Sequence, residues 1–237
     1  MIHRFYTGHS KDRSGELQLT ERLWVNDPGL VNQWLRVLRM RSGEELVLFN
    51  GNGQERLYRI EQVEEKAVHL QHVTDFQPKY PSVSLSLAWS LLKKDKNEWV
   101  LQKCTELGVS HFLPIISERT EKTGFDTERA HKILIESSEQ CGRHDIPTII
   151  EPQSLQSLIN EHTESKEIVV ADMGGARPKH NSTKPVLLVV GPEGGWADKE
   201  RELFAHNKLD TIGLGDFTLR AETASISAVY SLLSTTV

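Results

Sequence analysis

Cysteine is scarce: Cys104 and Cys141 are the only two in 237 residues. They lie far apart and form no Cys-x-x-Cys spacing, which removes zinc-ribbon and thioredoxin-type redox chemistry; both read as buried thiols. Long apolar runs are missing too. None approaches the roughly 20 residues that cross a bilayer, and Met1-Ile2-His3-Arg4-Phe5-Tyr6 lacks the apolar core of a signal peptide, so a cytoplasmic location with no membrane partner is expected. Basic excess is absent, since the formal net charge is −5. That argues against a uniformly nucleic-acid-coated surface while leaving room for a local basic face, because screening over about 8 to 10 Å makes local charge decide. The closest tempting metal pair, His69 and His72, sits in a strand pattern that sends the side chains to opposite faces, with no third ligand nearby. No metal is expected. Both nucleotide signatures are missing as well: there is no Gly-x-Gly-x-x-Gly after a first strand and no phosphate loop ending in Gly-Lys-Ser or Gly-Lys-Thr. The chain has no internal repeat and no low-complexity segment.

What is present falls into two patterns. Up to about Phe76 the elements are short and β-like. Glu45-Leu46-Val47-Leu48-Phe49 reads as a strand, Asn50-Gly51-Asn52-Gly53 as a turn, and residues 57–60 and 67–73 as half-buried strands. One helix interrupts them, started by Asp27-Pro28, with Val31, Trp34, Leu35 and Leu38 at helical spacing and Gly43 beyond its end. Arg36 and Arg39, with Arg41 just after the helix, could hold phosphates, which suit planar cations with several donors; the alternative is a solvated face paired with Glu44 and Glu45.

Gln77-Pro78-Lys79-Tyr80-Pro81 reads as a linker, giving domains at 1–76 and 77–237. Beyond it, Val83, Leu85, Leu87, Trp89 and Leu91 alternate strictly as a strand that ends at Lys93-Lys94-Asp95-Lys96. Asp95 with Glu98 has capping-box spacing, and Val100, Cys104 and Leu107 form one helical stripe stopped by Gly108. Strand and helix patterns then alternate: a strand at 111–116, a helix at 127–141, a short strand near Ile149, a helix at 155–160 and a strand at 168–171. Residues 186–190 and the run reaching Ile212 add two more strands, and a last helix covers 222–233. Such alternation predicts a mostly parallel sheet covered on both faces, so the second domain is α/β and the whole chain α+β.

Residues 186–224 concentrate the chemistry. Val186-Leu187-Leu188-Val189-Val190 passes straight into Gly191-Pro192-Glu193-Gly194-Gly195-Trp196, and the next strand opens into Leu219-Arg220-Ala221-Glu222-Thr223-Ala224. Ligands bind at the carboxyl ends of strands in open α/β sheets, and glycines there let a ligand approach the backbone. Taken alone, the glycine segment also fits a plain strand-to-helix turn.

Joined at this distance, the two motifs resemble the signature of the ribosomal RNA small subunit methyltransferase E family, enzymes of the SPOUT class that methylate N3 of a uridine in 16S ribosomal RNA. The resemblance extends over nearly the whole chain: His3-Arg4-Phe5-Tyr6, Arg36-Val37-Leu38-Arg39-Met40 with Gly43, Lys93-Lys94-Asp95-Lys96-Asn97-Glu98-Trp99, Ser117-Glu118-Arg119-Thr120 and Glu139-Gln140-Cys141-Gly142-Arg143 are similar to family segments. It implies a PUA-like RNA-binding β-barrel at 1–76 and a SPOUT methyltransferase domain at 77–237, with a deep trefoil knot over about 186–237. It implies S-adenosylmethionine as cofactor, 16S ribosomal RNA or the small ribosomal subunit as partner, and a homodimer. The cofactor pocket should use Gly191, Pro192, Glu193, Gly194, Gly195, Ile212, Leu214, Gly215, Leu219 and Ala221, with Met173 and Gly174 as a third wall. Arg220 is the expected catalytic cation, the alternative being a structural partner of Glu222 or Glu193. Glu222 is expected to orient it or to favour the last helix's N-terminus. Arg4, Arg36, Arg39, Arg41, Lys93, Lys94 and Lys96 are the expected RNA contacts. The chain departs from the family where a basic residue usually stands two before Leu219: it has Phe217, preceded by Asp216. Methylation at another RNA position, or RNA binding without catalysis on the same fold, stays open at this point.

Overall fold

A computed structural model describes residues 2–8, 11–12, 15–51, 53–77, 80, 83–176 and 184–234. The chain forms two compact units, Met1–Tyr80 with Ser138–Ile146, and Pro81–Ser137 with Pro147–Val237. Pro78, Lys79 and Pro81 of the expected linker lie outside the described residues, as does Asn52 of the expected turn.

The first unit contains β1 (His3–Tyr6), β2 (Lys11–Asp12), β3 (Gly15–Glu16), β4 (Arg22–Val25), α1 (Pro28–Asn32), β5 (Glu45–Phe49), β6 (Glu55–Val63) and β7 (Val68–Asp75). Its main sheet runs β1-β5-β6-β7-β4. Alternating apolar positions such as Leu46, Leu48, Tyr58, Ile60, Val68 and Leu70 meet in one core around the fully buried Trp34. Helix α1 begins as its sequence predicts, with Asp27 accepting from the Leu30 N–H at 2.9 Å and Pro28 just inside the start. It does not continue as an α-helix. Gln33–Val37 widens into a π turn, in which Leu38 N–H bonds to Gln33 O at 2.9 Å. Arg39 then adopts φ of 56°, left-handed backbone that costs an L-residue about 1–2 kcal/mol.

The second unit contains β8 (Leu85–Ser90), α2 (Lys94–Leu107), β9 (His111–Ile116), α3 (Thr127–Cys141, its residues from Ser138 counting with the first unit), β10 (Thr148–Ile149), β11 (Gln153–Ser154), α4 (Leu155–His162), β12 (Glu167–Ala176), β13 (Val186–Val190), α5 (Asp198–His206), β14 (Asp210–Ile212) and α6 (Ala221–Ser234). The sheet order is β10-β9-β8-β13-β12-β14, with β11 also on β9, and every pairing is parallel. The strict alternation read in β8 is correct for its large residues, but Ser86, Ala88 and Ser90 between them are buried too, because a parallel sheet is covered on both faces.

Three local expectations are corrected. Helix α2 has Lys93 at its N-cap and no side-chain capping bond, so Asp95 and Glu98 form no capping box. Asn97 organises the turn instead: its amide oxygen accepts from Trp89 Nε1 at 2.9 Å and Leu92 N at 3.0 Å, while its amide nitrogen donates to Leu92 O at 2.9 Å. Cys104 is buried as expected, whereas Cys141 is exposed at the last position of α3. Strand β12 runs past Ala171 to Ala176, and both of those alanines pair with Ile212 of β14, so the four residues between them loop out of the ladder.

Candidate active site

That bulge builds one wall of a cavity of about 330 Å³ at the carboxyl ends of β12, β13 and β14. It carries Asp172 and Met173 to the cavity and returns through Gly174, at φ of 81°, and Gly175. A Cβ on Gly175 would stand 2.5 Å from Ile212 C, and one on Gly213 would stand 2.6 Å from Gly175 O. Only paired glycines let the ends of β12 and β14 approach this closely.

The second wall is the loop leaving β13. Gly191 admits the Trp196 ring, 2.9 Å from where its Cβ would lie. The buried indole donates from Nε1 to Ala171 O at 3.0 Å, so this tryptophan fastens the loop to the end of β12. Gly195 N–H closes the turn onto Pro192 O at 2.9 Å. Arg201 grips Asp172 through Nε at 2.9 Å and Nη2 at 3.1 Å, and donates from Nη1 to Trp196 O at 2.8 Å; the bond to Asp172 raises its pKa. Arg119 Nη1 holds Gly194 O at 2.9 Å. The buried Glu200 accepts from Ala197 N at 2.8 Å and Glu118 N at 2.9 Å, which fixes the start of α5.

The third wall follows β14: Leu214, Gly215, Phe217, Thr218 and Leu219, then Ala221 and Ala224 of α6. Thr218 Oγ1 lies 3.5 Å from Met173 Sδ, linking this loop to the bulge. Phe217, this chain's departure from the family pattern, is 85% exposed and lines the cavity. Of the expected pocket residues, Met173, Gly191, Pro192, Glu193, Gly194, Gly195, Leu214, Gly215, Leu219 and Ala221 line the cavity. Gly174 and Ile212 stand behind it, Gly174 in the turn of the bulge and Ile212 as the shared partner of Ala171 and Ala176. Trp196, Asp172 and Arg201 were missed; the tryptophan directly after two glycines was the available signal.

Two RNA methyltransferase family models match: an RNA methyltransferase domain over residues 79–233 and an RNA methyltransferase PUA domain over residues 35–71. The ribosomal RNA small subunit methyltransferase E of Aquifex aeolicus is 30% identical over 98% of this chain and 100% of its own length. That of Rickettsia conorii is 29% identical over 81% of this chain and 82% of its own. The chain belongs to the ribosomal RNA small subunit methyltransferase E family. A Legionella pneumophila protein solved with bound S-adenosylmethionine superposes with a TM-score of 0.83, at 30% identity, over 99% of this chain and 98% of that one. The family enzyme of Neisseria gonorrhoeae superposes with a TM-score of 0.86 at 24% identity over 99% of this chain and 98% of that one, a likeness of fold.

In this family member the expected catalytic residues stand beside the cavity rather than among its lining residues. Arg220 is exposed, immediately before α6, and makes no ion pair among the described residues. Glu222 lies in the first turn of α6, its side chain 14% exposed, and pairs with Lys96 Nζ at 3.6 Å rather than with Arg220. Lys96 also bonds to Glu193. That hydrogen bond raises the Lys96 pKa, and the positive charge of Arg220 opposes the rise, which places the two cations within electrostatic reach of each other.

The expected RNA contacts separate by pairing. Within the first unit Arg4 is bonded to the fully buried Glu55, which also meets His144, and donates to Arg143 O at 3.0 Å; burial lowers its pKa. Lys96 lies between two carboxylates. Arg36, Arg39, Arg41, Lys93 and Lys94 are exposed and form no ion pair among the described residues. The carboxylates offered as alternative partners are engaged elsewhere: Glu45 pairs with Arg59, and Glu44 accepts from the Arg41 backbone N–H at 2.5 Å.

Proposed function

We propose that the chain is an S-adenosylmethionine-dependent methyltransferase acting at N3 of a uridine in 16S ribosomal RNA. The observation that carries this reading is the glycine-walled cavity at the ends of β12, β13 and β14, with Arg220 beside it, in a member of this family. The fit to the cofactor rests on the chain's own residues. The cavity's volume is in the range of small-ligand pockets, Gly191, Gly194 and Gly195 bring backbone to its edge, and Asp172 is held in place by Arg201.

The bound cofactor supplies a methyl group already made electrophilic by its sulfonium. What remains for the protein is alignment with N3 and help in losing the imide proton. As that proton leaves, negative charge spreads over the flanking carbonyl oxygens of the uracil. Arg220, free of carboxylate partners among the described residues, is the cation that stabilises this charge, an interaction typically worth about 2.7 to 4 kcal/mol. Glu222 acts indirectly, by holding Lys96 against the loop at Glu193. Arg36, Arg39, Arg41, Lys93 and Lys94 contact the RNA backbone.

Two structural parts of the reading go with it. The deep trefoil knot over about 186–237 is part of the reading; the return of the chain from edge strand β14 to an α6 packed on α2 and on β13 is in keeping with it. Helix α6 and its neighbour α2 leave apolar side chains uncovered: Tyr230 is 63% exposed, Ile226 and Leu233 are half-buried, and Trp99 on α2 is 51% exposed. Exposed apolar surface of this kind marks an interaction face, and a second copy of this chain is the proposed cover.

The test is transfer of tritium from labelled donor to small ribosomal subunits and to naked 16S RNA, followed by nucleoside analysis. Label in N3-methyluridine is expected. Label in another nucleoside, or none with either substrate, overturns the reading.

A further inference from the structure

On the far side of the glycine loop lies a smaller cleft of about 140 Å³, lined by Lys93, Arg119, Glu121 and Lys122 and by the loop itself. It shares Pro192, Glu193 and Gly194 with the cofactor cavity, so one loop separates the two. Its charge is lopsided. Lys93, Arg119 and Lys122 are exposed and make no ion pair among the described residues, and Glu193 is already neutralised by Lys96. Only Glu121 is left as an unbalanced anion. Arg119 spends one donor on Gly194 O, and the guanidinium has five in a planar fork. Helix α2 starts at Lys94, directly after Lys93, with no side chain capping it, so its first backbone N–H groups lie open at that edge, although Asp95 in the first turn offsets part of the helix's positive end.

We infer that this cleft is a phosphate subsite for the RNA strand, in which Arg119, Lys93 and Lys122 hold a backbone phosphate neighbouring the target uridine. The inference rests on the methyltransferase reading above and deepens it by giving the substrate strand a second anchor. The geometry also gives Arg119 a coupling role, because the guanidinium that meets the phosphate holds Gly194 of the loop that walls the cofactor cavity. Seating the strand therefore firms up that wall, and RNA and cofactor are expected to bind with positive cooperativity.

The test uses the full-length protein, small ribosomal subunits and 16S RNA, with Lys93→Gln/Lys122→Gln as one variant and Arg119→Gln as another. For a single strand, each neutralised phosphate contributes about 0.7 to the slope of log affinity against log salt, or about fourfold in affinity at 0.15 M salt. The double variant is expected to raise the RNA KM about fourfold, to flatten the salt slope by about 0.7 as that one phosphate contact is lost, and to leave the cofactor Kd measured without RNA unchanged. Arg119→Gln is expected to flatten the slope by about 0.7 and to abolish the tightening of cofactor binding by RNA. An unchanged salt slope and RNA KM in the double variant, with wild-type protein producing N3-methyluridine, overturns the subsite while sparing the function. Wild-type protein that transfers no methyl group to either substrate overturns the function itself. Arg119→Gln that weakens cofactor binding without RNA and leaves the salt slope intact would make Arg119 a brace of the loop only, which also overturns the proposal.

Discussion

Gly175→Ala isolates the contact on which the cavity's first wall depends. The added Cβ would lie 2.5 Å from Ile212 C, 2.7 Å from Gly213 N and 2.8 Å from Ile212 Cα, all backbone atoms that no rotamer can move. Ordinary contact begins near 3.4 Å, so β12 and β14 must part by about 0.9 Å. Overpacking of this kind costs about 1–3 kcal/mol, while replacing glycine by alanine returns about 0.4–1 kcal/mol through the unfolded chain. The steric term wins. For a chain of this size 1 kcal/mol shifts Tm by about 2–4 °C, so a fall of several degrees is expected in a thermal melt. Because the displaced segment carries Asp172 and Met173, cofactor affinity by calorimetry should fall with it. Gly124→Ala is the control: its Cβ meets nothing within 4 Å, and its backbone is not left-handed, so only the favourable unfolded-state effect remains. A Gly175→Ala protein that melts no lower than Gly124→Ala and keeps its cofactor affinity would refute the close-approach argument.

Arg220→Ala is expected to keep cofactor binding and to lose about 10²- to 10³-fold in kcat, the loss typical of one transition-state donor; comparable loss of cofactor affinity would show that Arg220 shapes the pocket instead. Arg39→Gly should separate strain from recognition: glycine relieves the left-handed backbone, so stability rises by up to about 1 kcal/mol in denaturant titration, while RNA affinity falls about fourfold. A loss of stability, or unaltered RNA binding, would contradict this. Burial pushes the Tyr58 hydroxyl up to about 12, and it donates to Thr20 O at 2.8 Å. The protonated form is thus favoured in the fold, and Tyr58 contributes stability that is whole below pH 10 and lost as pH rises from 10 through 12. Tyr58→Phe should shallow the fall in Tm over that interval, and an identical profile would remove Tyr58 from the account.

The sequence carried the sheet because strand patterns such as β13 and helix stops such as Gly108 and Gly142 are local signals. It pointed to the cavity because Gly191, Gly194 and Gly195 announce close backbone approach at a strand end, while the other expected lining residues rested on the family resemblance. What it hid depends on atoms distant along the chain. Nothing in the local pattern says that Gly175 meets Gly213, that Ala171 and Ala176 share one partner, or that Asp172 is gripped by Arg201. The helix expected through Leu38 misled for a related reason. Apolar spacing reports which side chains face the core, and Val31 and Trp34 do face it, but spacing is indifferent to whether the backbone turn is α or π.

The same limit keeps the sequence from sorting its cations. Lysines and arginines look alike in a sequence, and the net charge of −5 dilutes all of them. Their partners sort them. Arg4, Arg129, Arg201 and Lys96 each meet a carboxylate; drawing such a cation onto a phosphate would leave an acid unpaired, a cost the RNA would have to offset. Arg36, Arg39, Arg41, Lys93, Lys94, Lys122 and Arg220 carry no such cost among the described residues, so their charge is available for a polyanion or for charge that appears during reaction. Lys96 lies at the boundary between the groups. Paired with Glu193 of the loop after β13 and with Glu222 of α6, it ties those two segments together, and drawing it onto a phosphate would leave both carboxylates without that partner.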